Sequence, residues 1–370
     1  MRETAPGGDG DARDLAPWLG FQRVPGIGPA RLARLVELFG SVAAAWSASV
    51  ADLRRAGVSA DMAAAIDHVR STLDISTEIA RMRQAGVRAI PLDDSEYPRL
   101  LSHAASAPPL LYARGAITAG DEVAVAIVGT RRATPYGIDM ATRLAHDLAA
   151  AGVTIVSGLA YGIDTAAHRA ALKAGGRTIA VLGSGPDVIY PAQNRSLASR
   201  IIEAGAIVSE HPVGTKPDAR NFPARNRIIS GMSRGTIVVE APTSSGAMLT
   251  ASFAADQGRD VFAVPGPATA ASSGGFHALS RNGATLITSA EDVLEHLDLA
   301  SARQHTQVRL TMPETPNERI LYTVLGTEPL HLDDICYASG LPIHEVSGTL
   351  LAMELKGFVR QLAPQHYVRA

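Results

Sequence analysis

A single cysteine, Cys336, serves all 370 residues, which excludes an internal disulfide or a cysteine-built metal centre and fits a reducing cytoplasm. Neither sign of charge dominates. With 34 Lys and Arg against 36 Asp and Glu, the formal net charge is −2, so any anion site must be a local cluster rather than a basic surface. No apolar run approaches the ~20 residues of a membrane span. The first fourteen residues, MRETAPGGDGDARD, are polar and acidic and lack the apolar core of an export signal, so residues 1–14 are expected to form a disordered tail. Also missing are a G-x-G-x-x-G fingerprint after the first central strand, a Walker lysine pattern, a G-x-S-x-G elbow, and any pair of histidines or carboxylates with metal spacing. The reading is of a protein without cofactor, metal or catalytic residues.

What is present is a globular composition, 46% apolar and 19% charged, at a length that suits two or three domains. The organising stretch is Val123 to Gly137, VAVAIVGTRRATPYG. Its β-branched and small apolar residues predict a strand buried on both faces, and a helix over Ile138 to Ala150 follows almost at once. The turn between them, Gly129-Thr130-Arg131-Arg132, offers backbone amides, a helix N-terminus and two guanidinium groups to an anion; ordinary solvated turn residues are the alternative. From Val123 to Leu297, strands at Val153 to Ser157, Thr178 to Leu182, Ala206 to Ser209, Thr236 to Glu240, Val261 to Val264 and Ala284 to Thr288 alternate with helices. The helices are read at Asp164 to Ala174, Gln193 to Ala204, Asn226 to Ser233 and Ala247 to Gln257. Continuous apolar strands in βα repeats mean a doubly wound parallel sheet, a Rossmann-like α/β fold, with ligands expected outside the carboxyl ends of the strands.

Those ends carry small residues: Gly129 and Thr130, Ser157-Gly158 leading to Asp164 and His168, Gly183 to Asp187 with Tyr190-Pro191, Glu240 with Thr243 to Ala247, and Pro265-Gly266. Asp164 and His168, at i and i+4 on one helix face, are placed to bond each other; the favoured role is ordering of the loop rather than acid–base chemistry. Positive charge gathers between Val213 and Gly235, where Lys216, Arg220, Arg225, Arg227 and Arg234 face the single acid Asp218. Asn221 and Phe222 are interleaved there. A mobile basic loop with one aromatic fits a strand of nucleic acid, cations following phosphates and the ring stacking on a base. A solvated loop with Phe222 in the core is the competing account.

The flanks read differently. Residues 15–74 are helical, with Leu32, Leu35, Val36 and Phe39 on one face. Val24-Pro25-Gly26-Ile27-Gly28-Pro29 there resembles the hairpin of helix-hairpin-helix (SAM-like) modules. A tight turn between packed helices explains it equally well. Between Ile75 and Gly115, a short strand at Gly86 to Pro91 and the proline-led segment Pro108 to Gly115 are expected to extend the sheet from one edge. Residues 301–315 read as a linker. In 316–370, helices at Asn317 to Leu325, Leu332 to Ala338 and Ile343 to Lys356 precede two strands, a winged helix. Its third helix has Lys356 as its only full positive charge, which favours a protein contact over reading of DNA.

Taken together in order and spacing, Gly129-Thr130-Arg131, Ser157 to Asp164 with His168, Asn221-Phe222-Pro223-Ala224-Arg225-Asn226-Arg227, Glu240 with Ser245-Gly246, and Pro265-Gly266 resemble the DprA/Smf family of DNA-processing proteins over about Ile75 to Leu297. The resemblance implies a non-enzymatic protein that binds single-stranded DNA, forms a homodimer through the Rossmann-like domain, and loads a RecA-type recombinase in transformation or recombination. It implies DNA contacts from Gly129, Thr130, Arg131, Ser157, Gly158, Lys216, Asn221, Phe222, Arg225, Asn226, Arg227, Ser245 and Gly246. Asp164, His168 and Glu240 would order the site. Ala224 departs from the family where a basic residue is common, and His277 where Asn is frequent. The alternative is a nucleotide-processing N-glycosidic hydrolase, in which Glu240 and Thr243 to Gly246 would act.

Overall fold

Side-chain caps decide where the N-terminal helices begin. The computed structural model describes residues 10–267, 269–299, 315–326, 329–355, 358–363 and 365–369. Helices α1 (Gly10–Arg23) and α2 (Pro29–Phe39) are followed by α3 (Val42–Ser47), α4 (Val50–Arg55), α5 (Ala60–Thr72) and α6 (Ile75–Gln84). Ser41, Ser49, Ser59 and Asp74 each accept a bond from a first-turn amide of α3 to α6, satisfying donors that a helix cannot bond internally. Residues 10–14, read as tail, already belong to α1. Phe21 meets Trp46 edge-on at 5.0 Å. The core under these helices takes in Leu32 and Leu35 and extends across residue 75 to Ile79, Met82, Leu110 and Tyr112.

The chain then enters the sheet through β1 (Arg88–Pro91), α7 (Arg99–Ser102) and β2 (Leu110–Gly115). Regular alternation follows: β3 (Ala124–Val128), α8 (Pro135–Ala150), β4 (Thr154–Ser157), α9 (Ile163–Lys173), β5 (Thr178–Leu182), α10 (Arg195–Ala204) and β6 (Ala206–Ser209). The second half runs α11 (Asn221–Gly231), β7 (Gly235–Val238), α12 (Gly246–Asp256), β8 (Asp260–Ala263), α13 (Gly274–Arg281), β9 (Thr285–Leu286) and α14 (Ala290–His296). The nine strands lie in the order β1-β2-β6-β5-β4-β3-β7-β8-β9. Pairing is parallel from β6 through β9, while β2 joins β6 and β1 joins β2 antiparallel. The expected edge extension is therefore present. Every residue of β3, β4, β5, β6 and β7 is buried, as strands covered on both faces require.

From β3 the chain winds outward to β6 and then returns to β7 on the other side of β3. That reversal opens a crevice at the carboxyl ends of β3 and β7, the place where such sheets bind ligands. One difference from expectation shapes the site: α11 begins at Asn221 rather than Asn226. Pro223 falls within its first turn, where a missing amide hydrogen costs nothing, so Phe222 and Arg225 ride on a helix and not on a mobile loop.

The C-terminal unit contains α15 (Pro316–Val324), β10 (Leu330–His331), α16 (Leu332–Ser339), α17 (Ile343–Leu355), β11 (Val359–Ala363) and β12 (His366–Arg369). Its core joins Leu321, Ile335, Val346, Leu350 and Phe358. The winged helix holds one strand more than the sequence reading, since β10 pairs with β12. The expected linker, apart from Thr315, and Lys356 lie outside the described residues. Among the described residues no helix is long and apolar enough to cross a membrane.

His168, on α9, does not bond Asp164. Its Nδ1 meets the Thr178 hydroxyl at 2.7 Å, and that hydroxyl donates to the Ile155 carbonyl. Thr178 must then accept from Nδ1–H, which leaves Nε2 bare, buried and without a partner. A proton on Nε2 would find no acceptor. Burial, with the charge of Arg225 added, holds the ring down to about 3 from an ordinary 6.5. The folded state keeps His168 neutral while the unfolded chain protonates it, so this contribution to stability is complete above pH 6.5 and is lost as pH falls toward 3. His168→Asn should remove about 2 kcal/mol of the stability lost by wild type between about pH 7 and pH 5. Urea unfolding at the two pH values checks this; an unchanged difference would show that His168 does not supply it.

Candidate nucleic-acid site

An open cavity of about 700 Å³ lies at the carboxyl ends of the strands, among the turn before α8 and the starts of α9, α11 and α12. Its floor is Val128, Gly129 and Thr130 at the end of β3, with Ala160 just before α9 and Asp164 in its first turn. Phe222, Arg225 and Asn226 come from the first turns of α11, and Ser244 to Ala247 from the start of α12. Arg131 and Arg132, both exposed, stand on one wall and Tyr190 on the rim. Helix N-termini carry partial positive charge and small residues let a ligand approach the backbone, so this arrangement suits a phosphate.

Two buried side chains of opposite sign, each bonded to the backbone rather than to the other, hold the loops in place. Asp164 Oδ2 accepts from the amides of Gly158 at 3.1 Å and Ala160 at 3.3 Å. Arg225 donates to the carbonyl of Gly158 at 2.8 Å and also to that of Val181. Both charges flank Gly158, where a Cβ would sit 2.5 Å from Arg225 Nη2 and 2.7 Å from Asp164 Oδ2. Only glycine leaves room there. The intervening Leu159 takes a left-handed φ of 56° with its side chain fully buried, and its carbonyl accepts from Asn194 at 2.9 Å. Burial pulls Arg225 down to about 10, opposed by the charge of Asp164, and it remains cationic at neutral pH. Burial raises Asp164, against Arg225 and the two amides, which favour the carboxylate.

The remaining carboxylate is similarly committed. Glu240, buried at the end of β7, accepts from the Thr134 amide at 2.9 Å and from its hydroxyl at 3.1 Å. Thr134 caps α8 through Gly137. Glu240 thus fixes the start of α8 beside Arg131 and Arg132.

The structure divides the residues that the sequence grouped together. Gly129, Thr130, Arg131, Phe222, Arg225, Asn226, Ser245 and Gly246 line the cavity. Ser157, Gly158, Lys216, Asn221 and Arg227 are not among its lining residues. Ser157 is buried and donates to the Ile127 carbonyl at 2.6 Å. Lys216 is exposed next to the lining residue Pro217. The basic segment is less available than its composition implies. Arg225 is only 4% exposed, so it is placed to order the floor, not to follow phosphates. Arg227 forms a two-pronged pair with Glu210 at 2.9 and 2.7 Å. Arg220 grips Asp218, and Arg234 precedes β7 at the opposite end of the sheet, bonded to the Glu122 carbonyl. Ala224 is exposed, and His277 packs edge-on to Phe276.

The sequence reading left Tyr190 out of the site although it had placed Tyr190-Pro191 at a strand end. The available signal was that position. Tyr190 packs on Phe222 with ring centroids 5.6 Å apart and a 40° tilt, while the Arg131 guanidinium lies 5.4 Å from the Phe222 centroid. Phe222 is accordingly half-buried, sharing its ring with Tyr190 and Arg131 while still lining the cavity.

Comparison with known proteins agrees with this architecture. A family model described as DNA recombination-mediator protein A matches residues 88–298, and one described as the DprA winged helix domain matches residues 305–363. Protein Smf of Synechocystis is 38% identical over 393 aligned positions, covering 96% of this chain and 99% of that one. The X-ray structure of DNA processing protein A from Streptococcus pneumoniae superposes with a TM-score of 0.68 at 34% identity, covering 80% of this chain and 98% of that one. DNA processing protein A of Helicobacter pylori, whose structure was described for its single-stranded DNA binding mode, gives a TM-score of 0.51 at 30% identity, covering 57% of this chain and 95% of its own. By sequence and by fold, the chain belongs to the DprA/Smf family of DNA-processing proteins.

Proposed function

We propose that this protein binds single-stranded DNA in the cavity at the β3/β7 reversal, protects it without cleaving it, and passes it to a RecA-type recombinase. The observation that carries the reading is the placement of Arg131 and Arg132 above a floor of small residues where helix N-termini converge. The described binding mode of the Helicobacter pylori relative supports the choice of ligand. The recombinase partner rests on the family description, a recombination mediator, and the setting is natural transformation or homologous recombination in the cytoplasm. A homodimer through the sheet domain is part of the proposal. There β9 ends the sheet order and Leu286 is half exposed.

The non-enzymatic reading is supported by the state of the two carboxylates. Glu240 is held by Thr134, and Asp164 by two amides beside Arg225, so neither is presented as a free acid or base. Wild-type protein incubated with nucleoside monophosphates should release no free base. Reproducible release that disappears in Glu240→Gln would instead establish the hydrolase reading.

Arginine substitutions separate binding from architecture. Arg131→Ala should weaken binding of a labelled oligothymidylate several-fold at low salt and reduce the slope of log affinity against log salt by about 0.7, one phosphate contact on a single strand. Fluorescence anisotropy across a salt series reads both. An unchanged slope in folded protein would remove Arg131 from the phosphate path. Arg225→Met, by contrast, should cost about 3 kcal/mol or more of folding stability, because Asp164 then stays buried without its opposing charge. Urea unfolding tests this, and stability equal to wild type would refute the structural role.

A further inference from the structure

We infer that Tyr190 forms a base-stacking subsite at the rim of the cavity, where a nucleobase of the bound strand lies against its outer face with Phe222 as the backing layer. The inference rests on the single-stranded DNA reading above. Phe222 is half-buried and already has Arg131 at 5.4 Å and Tyr190 at 5.6 Å from its ring. Tyr190 is 46% exposed, and more of its ring is open to a base.

The hydroxyls set Tyr190 apart from the other half-exposed tyrosines of this unit. Tyr136 donates to the Pro265 carbonyl at 2.7 Å, and Tyr161 donates to Gln193 at 2.6 Å. No partner reaches the Tyr190 hydroxyl among the described residues. Its ring instead packs on an aromatic neighbour that is itself in contact with a cation. An exposed aromatic that is backed by a second ring and otherwise unengaged suits base stacking. Every base has a π face, so the subsite takes any nucleobase and adds affinity without sequence preference. Phosphates held at Arg131 and Arg132 would bring the adjoining base within reach of the rim.

The test compares Tyr190→Leu, which keeps apolar packing on Phe222, with Tyr190→Trp, which enlarges the aromatic face. Two probes of equal length are used, an oligothymidylate and its abasic counterpart. Tyr190→Leu should weaken oligothymidylate binding roughly 5- to 30-fold at both low and high salt, and leave abasic binding unchanged. Tyr190→Trp should restore the loss, with its added fluorescence quenched by the oligothymidylate and not by the abasic strand. Phe222→Leu should add little once Tyr190 is leucine, because the backing then has nothing to support. Equal losses on both probes, or full binding by Tyr190→Leu with the whole loss in Phe222→Leu, would overturn the subsite while leaving the DNA reading intact. Failure of wild type to bind either probe would overturn both.

Discussion

The opposed charges of Asp164 and Arg225, buried on either side of Gly158, are the constraint on which the site depends. One belongs to α9 and the other to α11, helices that pack on opposite faces of the sheet. Their bonds to the backbone of residues 158–160 and to Val181 join the ends of β4 and β5. A buried charge without its partner is strongly destabilising; here each is surrounded by backbone dipoles as well. The result is a floor that is fixed before any ligand arrives. It also accounts for the left-handed Leu159, a strained conformation that persists only when its surroundings over-determine it.

This pair is also where composition misleads. Counting charges between Val213 and Gly235 gives a basic loop, and the count is correct. It does not distinguish a guanidinium in solvent from one under the floor. Arg225 and Arg227 differ from Lys216 in three dimensions through residues far away in the chain, Asp164 and Glu210, and no local pattern encodes that distance. Phe222 illustrates the same limit: its neighbours Tyr190 and Arg131 come from other strand ends. The sheet was legible because apolar βα alternation is a local and repeated signal. Its strands sit within two residues or so of where hydrophobicity put them. The start of α11 was not, because Pro223 reads as loop to a sequence-based argument although it is tolerated in a first helical turn. Strand β10, two residues long, carries too little pattern to be read at all.

The N-terminal helices are joined to the same framework. Gln22 on α1 donates to the Glu210 carbonyl at 2.8 Å and accepts from the Tyr112 hydroxyl. Glu210 holds Arg227 on α11. Three residues, one each from α1, the end of β6 and α11, thus connect the helical region to the helix that carries Phe222. The helical core also contains Leu110 and Tyr112 of β2, so these two parts of the chain share one packed interior.

The strand order has a consequence for how the site comes into being. Strand β3 pairs with β4 on one side and with β7, more than a hundred residues later, on the other. During synthesis from the N-terminus, β3 to β6 are complete while the β7 side of β3 is still open. Arg131 and Arg132 are then already made, but Glu240, which anchors the helix behind them, is not. The first half of the sheet must wait with an exposed apolar edge, a state in which unfinished chains are prone to wrong pairing. The crevice appears only when Gly235–Val238 docks, so a prematurely ended chain carries the cationic turn without the cavity that gives it a purpose.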